Sequence, residues 1–116
     1  MSNQIIGHVE IPALDLERAV EFYQKVFDWD FKQFGRGYYL YNTRSGMTIG
    51  LRKAETIQAG NSTIFHVTVD NIDSYLDKVK TFGGKVFREK TVIPVYGWYA
   101  LLNDPDGNIL GLFQTH

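Results

Sequence analysis

The sequence predicts an α+β fold of two paired βαβββ modules, with a curved mixed sheet around a cleft. Three repeated features predict it, and repeats are sought first because they set the whole architecture. The opening stretches IIGHVEI and TIFHVTV both alternate apolar and polar residues, as strands with one buried face do. Two helical stripes follow them. Leu16, Ala19, Val20, Tyr23, Val26 and Phe27 recur at helical spacing, and Ile72, Tyr75, Leu76, Val79 and Phe82 repeat that stripe later in the chain. Finally, the hairpin GYYLYNTRSGMTIGL is matched by GWYALLNDPDGNILGL, with one residue added in the second copy.

Each element has a local reason. Asp15 and Asn71 stand just before the two stripes, where a helix needs a side-chain oxygen to cap its free N–H groups. Gly83-Gly84 follows the second stripe, where a left-handed residue commonly ends a helix. NTRSG and NDPDG occupy equivalent turn positions, with Pro105 supplying a fixed φ and Gly107 closing the turn. One domain is expected over residues 1–116, with modules at about 1–55 and 61–116 joined by the polar stretch AETIQAGN. A ferredoxin-like βαββαβ sheet has too few strands after its first helix to hold both hairpins.

Bulk properties narrow the function classes. The chain has 116 residues, 44% apolar and 22% charged, which suits one domain with a real core rather than a disordered chain. Its net charge is −1 and no segment concentrates Lys and Arg, so no nucleic-acid partner is expected. It has no cysteine, which removes disulfides, thiolate metal sites and cysteine nucleophiles. The N-terminal stretch lacks the charge-then-apolar pattern of a signal peptide, and no apolar run reaches membrane-spanning length. A cytoplasmic protein without a membrane partner is the expectation. Phosphate-binding glycine loops and the G-x-S-x-G elbow are absent from the sequence.

Alternation also assigns faces. Ile5, Val9, Ile11, Phe65, Val67 and Val69 belong under the helices, with Ile49, Leu51, Leu110 and Leu112. The opposite, open face then carries Ile6, His8, Glu10, Thr48, Gly50 and Arg52 in the first copy. In the second it carries Ile64, His66, Thr68, Ile109, Gly111 and Phe113. Polar groups and unusual residues on that face are the candidate site. Gly50 and Gly111 stand at equivalent positions, where they either enlarge the cleft or mark a bulge. Arg52 is a candidate anion partner, and Tyr99 and Phe113 offer flat apolar surface. Trp98 is expected under the helix, Trp29 is ambiguous, and the terminal His116 is expected to be disordered.

The segments HVEIPALDLERAVEFYQKVFDW, GGKV and DPDGNILGLFQ together resemble the vicinal-oxygen-chelate superfamily. That group contains glyoxalase I, bleomycin-resistance proteins, extradiol dioxygenases and fosfomycin-resistance enzymes. The resemblance covers essentially the whole chain and implies the same paired βαβββ fold. It also implies four metal-ligand positions, which fall on His8, Gly50, Ile64 and Gly111. Only His8 offers a donor, whereas a divalent site commonly needs about three protein ligands. No metal and no other cofactor is therefore expected. A shifted arrangement of His8, Glu10 and His66 is the alternative metal site.

The favoured reading is a metal-free protein that binds a small, partly apolar molecule, as the bleomycin-resistance branch does. A second reading makes Glu10 and His66 the acid–base pair of a metal-independent isomerase, epimerase or lyase. The weakest is a metalloenzyme, such as a lactoylglutathione lyase or a dioxygenase, with a rearranged site. The resemblance further implies a homodimer.

Overall fold

The computed structural model describes residues 6–58 and 63–116. Ile5 and part of the connector, residues 59–61, lie outside the described residues. The first module is β1 (His8–Ala13), α1 (Leu16–Phe27), β2 (Lys32–Gln33), β3 (Tyr38–Asn42) and β4 (Thr48–Lys53). The second is β5 (His66–Thr68), α2 (Ile72–Thr81), β6 (Lys85–Ile93), β7 (Gly97–Asn103) and β8 (Ile109–Thr115). The paired βαβββ architecture expected from the repeat is the one observed. Neither helix is long and apolar enough to cross a membrane.

The caps form as the sequence predicts. An Asp15 carboxylate oxygen accepts from the Arg18 N–H at 3.1 Å, and the Asn71 side-chain oxygen accepts from the Ser74 N–H at 3.2 Å. The two sheets then repeat one topology. The first has strand order β1-β4-β3-β2 and the second β5-β8-β7-β6. In each, the opening strand runs parallel to the closing strand and the other neighbours are antiparallel. A parallel pair needs a long crossover, which the helix and the two intervening strands provide. Register fixes the equivalences between copies. Glu10 lies opposite Gly50, and His66 lies opposite Gly111.

One apolar core joins the modules. Ile11 and Leu51 from the first module share it with Leu102 and Leu112 from the second. Burying a side chain of this size contributes about 1.5–3 kcal/mol. The α1 stripe is wider than its spacing suggests, because Phe22 is also fully buried. Its ring packs edge-on to Tyr23 at 5.1 Å and lies close to Gly84, at the start of the second sheet. Phe22 therefore faces the other module, which the periodicity of α1 alone does not reveal. Trp29 stacks between Phe27 and Tyr41, at 4.8 and 6.0 Å.

A buried carboxylate ties the modules together. Asp104, in the DPDGN turn, is only 3% exposed. Its Oδ1 accepts from the backbone N–H groups of Asp106 and Asn108, at 3.0 and 2.9 Å. Its Oδ2 accepts from the Tyr23 hydroxyl at 2.7 Å and from Asn108 Nδ2 at 2.9 Å. Asn108 Nδ2 also donates to the Pro12 carbonyl of β1 at 2.8 Å. Beside this group Arg18 of α1 pairs with Asp106. Burial raises the Asp104 carboxyl above its ordinary value, and the hydrogen bonds from Asn108 and Tyr23 oppose that rise. Burial, with Asp104 beside it, also raises the Tyr23 hydroxyl well above the usual phenol range.

Two outcomes are expected. Tyr23→Phe leaves Oδ2 short of one donor, so it should lower the unfolding free energy by about 1–3 kcal/mol in denaturant titration. The second concerns pH. A carboxyl raised in the folded state binds protons more tightly folded than unfolded, so its contribution is fullest below the unfolded value and is lost as pH rises through the folded one. The stability advantage of the wild type over Asp104→Asn should therefore shrink as pH rises out of the acid range.

Candidate functional site

The parallel pairing of β1 with β4 lays His8, Glu10, Thr48, Gly50 and Arg52 side by side on the open face. They join into a continuous row. Thr48 Oγ1 lies 2.6 Å from His8 Nδ1, and His8 Nε2 lies 2.8 Å from the Tyr38 hydroxyl. The Tyr38 hydroxyl donates to Glu10 Oε2 at 3.0 Å, and Arg52 Nε donates to Glu10 Oε1 at 2.8 Å. The hydrogen bond from Arg52 holds the Glu10 carboxyl below its usual range, against a smaller opposing effect of burial. Burial, and then the hydrogen bond to Glu10, raise the Tyr38 hydroxyl.

Tyr38 was not among the residues that the sequence singles out, although a signal was present. It stands opposite Arg52 just as Tyr99 stands opposite Phe113. Applying the repeat to β3 as well as to β7 places both tyrosines on the open face.

The paired glycines act differently from either expectation. Their ladders are regular, and the register shifts of the second sheet fall in β6 instead. Nor does either glycine leave empty space. A Cβ on Gly50 would stand 1.9 Å from the Tyr38 hydroxyl oxygen, and one on Gly111 would stand 2.1 Å from His66 Cδ2. Each glycine is a socket for a ring. The rings come from different strands, β3 in the first module and β5 in the second.

In the second module His66, Gly111, Tyr99 and Phe113 share the open face. Arg88 Nη1 donates to the Tyr99 hydroxyl at 3.0 Å, a contact the sequence does not announce. Trp98 is half-buried on the opposite face, with Lys90 Nζ 4.9 Å from its ring centre and the His116 ring at 4.4 Å.

The two groups stay separate. Among the described residues no hydrogen bond or ion pair joins Glu10 to His66. No three His, Asp or Glu side chains among the described residues gather closely enough to hold a metal ion. His8, Glu10 and His66 therefore do not form the alternative metal group. Both His8 nitrogens and both Glu10 oxygens have protein partners. Ile64 lies before β5, half-buried, and offers no donor.

A cavity of about 650 Å³ opens at the seam between the modules. Ile6, Val9 and Glu10 wall it on one side, with Ile64, Phe65 and Leu110 on the other. Of the nine candidate residues, only Glu10 lines it. The apolar side chains there come from the ends and edges of β1, β5 and β8, where the two sheets meet without pairing.

Two βαβββ modules with their opening strands at a shared seam define a class of paired-module proteins. The chain belongs to the Glyoxalase/Bleomycin resistance protein/Dioxygenase superfamily, whose family model matches residues 5–112. It is 28% identical to CFP32 of Mycobacterium tuberculosis over 93% of this chain, and spans only 44% of that protein's length. It is 27% identical to a glyoxylase-like domain-containing protein of Didymella fabae, covering 93% of this chain and 91% of that one. Among solved structures, a glyoxalase/bleomycin resistance protein/dioxygenase family enzyme from Burkholderia phytofirmans superposes with a TM-score of 0.82 at 18% identity, over 95% of this chain and 98% of that one. The fosfomycin resistance protein FosX of Listeria monocytogenes superposes with a TM-score of 0.83 at 15% identity, over 99% and 96%. At such identities the structures share the fold alone.

The row makes a direct prediction. A carboxyl lowered in the folded state contributes stability above its unfolded value, and loses it as pH falls through the folded one. Arg52→Ala should move the Glu10 titration up towards 4.5, read by NMR of the side-chain carboxyl. Gly50→Ala should keep the fold but swing the Tyr38 ring out, because the obstructed atom is the free end of a side chain. The Glu10 titration should respond to that variant in the same upward direction.

Proposed function

We propose that this chain binds a small, partly apolar molecule, and does so without the metal used elsewhere in its family. The observation that carries this reading is the seam cavity. Its volume of about 650 Å³ lies within the range of small-molecule sites. Apolar side chains dominate its wall, and Glu10, Gln58, Thr63 and Asn108 add polar groups to it. Glu10 belongs both to that wall and to the open-face row, so a ligand's apolar part sits in the seam with its polar part turned towards the row. The geometry favours the acid–base reading less. Glu10 is engaged by Arg52 and Tyr38, while the His66 ring lies over Gly111. A homodimer, a single-domain organisation and a cytoplasmic location are further parts of this proposal, resting on the family resemblance and the cysteine-free composition.

Filling the cavity tests the reading. Ile64→Trp should weaken binding of the fluorescent probe 1-anilinonaphthalene-8-sulfonate by about tenfold or more, equivalent to about 1.4 kcal/mol. Unchanged probe affinity in a folded variant would place the ligand elsewhere. Stoichiometric zinc, iron, nickel or manganese in protein purified without chelator would overturn the metal-free part.

A further inference from the structure

The hydrogens of the open-face row can be placed by working inwards from Arg52. A guanidinium only donates, so Glu10 Oε1 accepts from Arg52 Nε. An ionised carboxylate has no hydrogen to give, so the Tyr38 hydroxyl donates to Glu10 Oε2. That spends the only hydrogen on the Tyr38 oxygen. At its other contact, 2.8 Å from His8 Nε2, the oxygen must accept. Nε2 therefore carries a hydrogen. In the neutral imidazole, which has one N–H, Nδ1 is then bare and accepts from the Thr48 hydroxyl at 2.6 Å. One charged side chain at the end of the row fixes the tautomer of a histidine that it does not touch.

We infer that His8 is a specificity-determining residue of this face, which selects a ligand by an O–H group offered to Nδ1. This goes beyond the seam-cavity reading and rests on it only in that a small molecule binds, because His8 stands in the open-face row and not among the residues that line the cavity. The present partner of that nitrogen is itself a hydroxyl, 2.6 Å away. Thr48 is a short rotor on a partly exposed strand end, so a ligand hydroxyl can replace it at the cost of one side-chain rotation. Leu40, half-buried and opposite Gly50, places apolar surface nearby, and Asn42 stands opposite Thr48. The ligand class is a small phenol or alcohol. Ethers, esters and ketones present only lone pairs to Nδ1 and are disfavoured, since a site built to take a hydroxyl hydrogen rejects analogues that lack it. Tyr38, Glu10 and Arg52 are positioning residues that act through His8.

Protein with ¹⁵N-labelled histidine rings tests both steps. Long-range ¹H–¹⁵N spectra should show His8 as the Nε2–H form, and Tyr38→Phe should give a mixture of tautomers while the His66 signals stay in place. An Nδ1–H form in the wild type, or a tautomer indifferent to Tyr38→Phe, would overturn the inference. The binding arm uses phenol and its methyl ether, anisole. Phenol should shift the His8 ring signals and bind at least about tenfold more tightly than anisole. Thr48→Val, which removes the competing hydroxyl, should tighten phenol binding further. Equal binding of the two probes, or shifts confined to Ile64, Phe65 and Leu110, would sink the selection by His8 and leave the small-molecule reading standing. Binding of neither probe anywhere on the chain would count against both.

Discussion

The buried carboxylate of Asp104 is the constraint on which the rest of the structure depends. It lies in a turn of the second module, yet it receives the Tyr23 hydroxyl from the first helix. Through Asn108 the same turn also holds the Pro12 carbonyl at the far end of β1. A carboxyl group this deeply buried is tolerated only when its oxygens are hydrogen-bonded, and here each oxygen has two donors. Those donors come from both modules, so the modules cannot slide relative to each other without stripping them. The seam between β1 and β5, and the cavity in it, inherit their geometry from this lock.

A second constraint shapes the open faces. Strand interiors disfavour glycine, and both modules place one opposite a polar residue of the opening strand. The structural reason is close approach, because each glycine lets a ring lie flat on the ladder. The consequence differs between copies. In the first module Arg52 draws Glu10 aside, and the Tyr38 ring takes the socket. In the second, Phe113 stands where Arg52 would be, and His66 itself occupies the socket. Differences on the opening strand, Glu10 against His66, and on the closing strand, Arg52 against Phe113, thus accompany a hydrogen-bonded row on one side and an aromatic surface on the other.

Much of the fold was legible before any coordinates. Helix caps at Asp15 and Asn71, stripes at helical spacing, alternating strands and the DPDGN turn are all local signals, and each depends on residues a few positions apart. The repeat added what local signals lack. Matching the two copies gave each module the same succession of elements along the chain and placed Glu10 against His66 and Arg52 against Phe113, which the ladder registers reproduce.

The site was legible only in part, for a physical reason. His8, Glu10, Thr48, Gly50 and Arg52 converge because alternation decides which face a strand residue takes. What fills a socket, which nitrogen of His8 carries the hydrogen, and where the modules leave a cavity depend on distances between strands far apart in the chain. Alternation fixes the face and says nothing of reach. So the sequence by itself determined the elements, their order and the faces they present. Only the tertiary structure decided that Tyr38 lies over Gly50, that Phe22 packs on the other module, and that the concavity opens at the seam, because each is a contact between side chains brought together by packing.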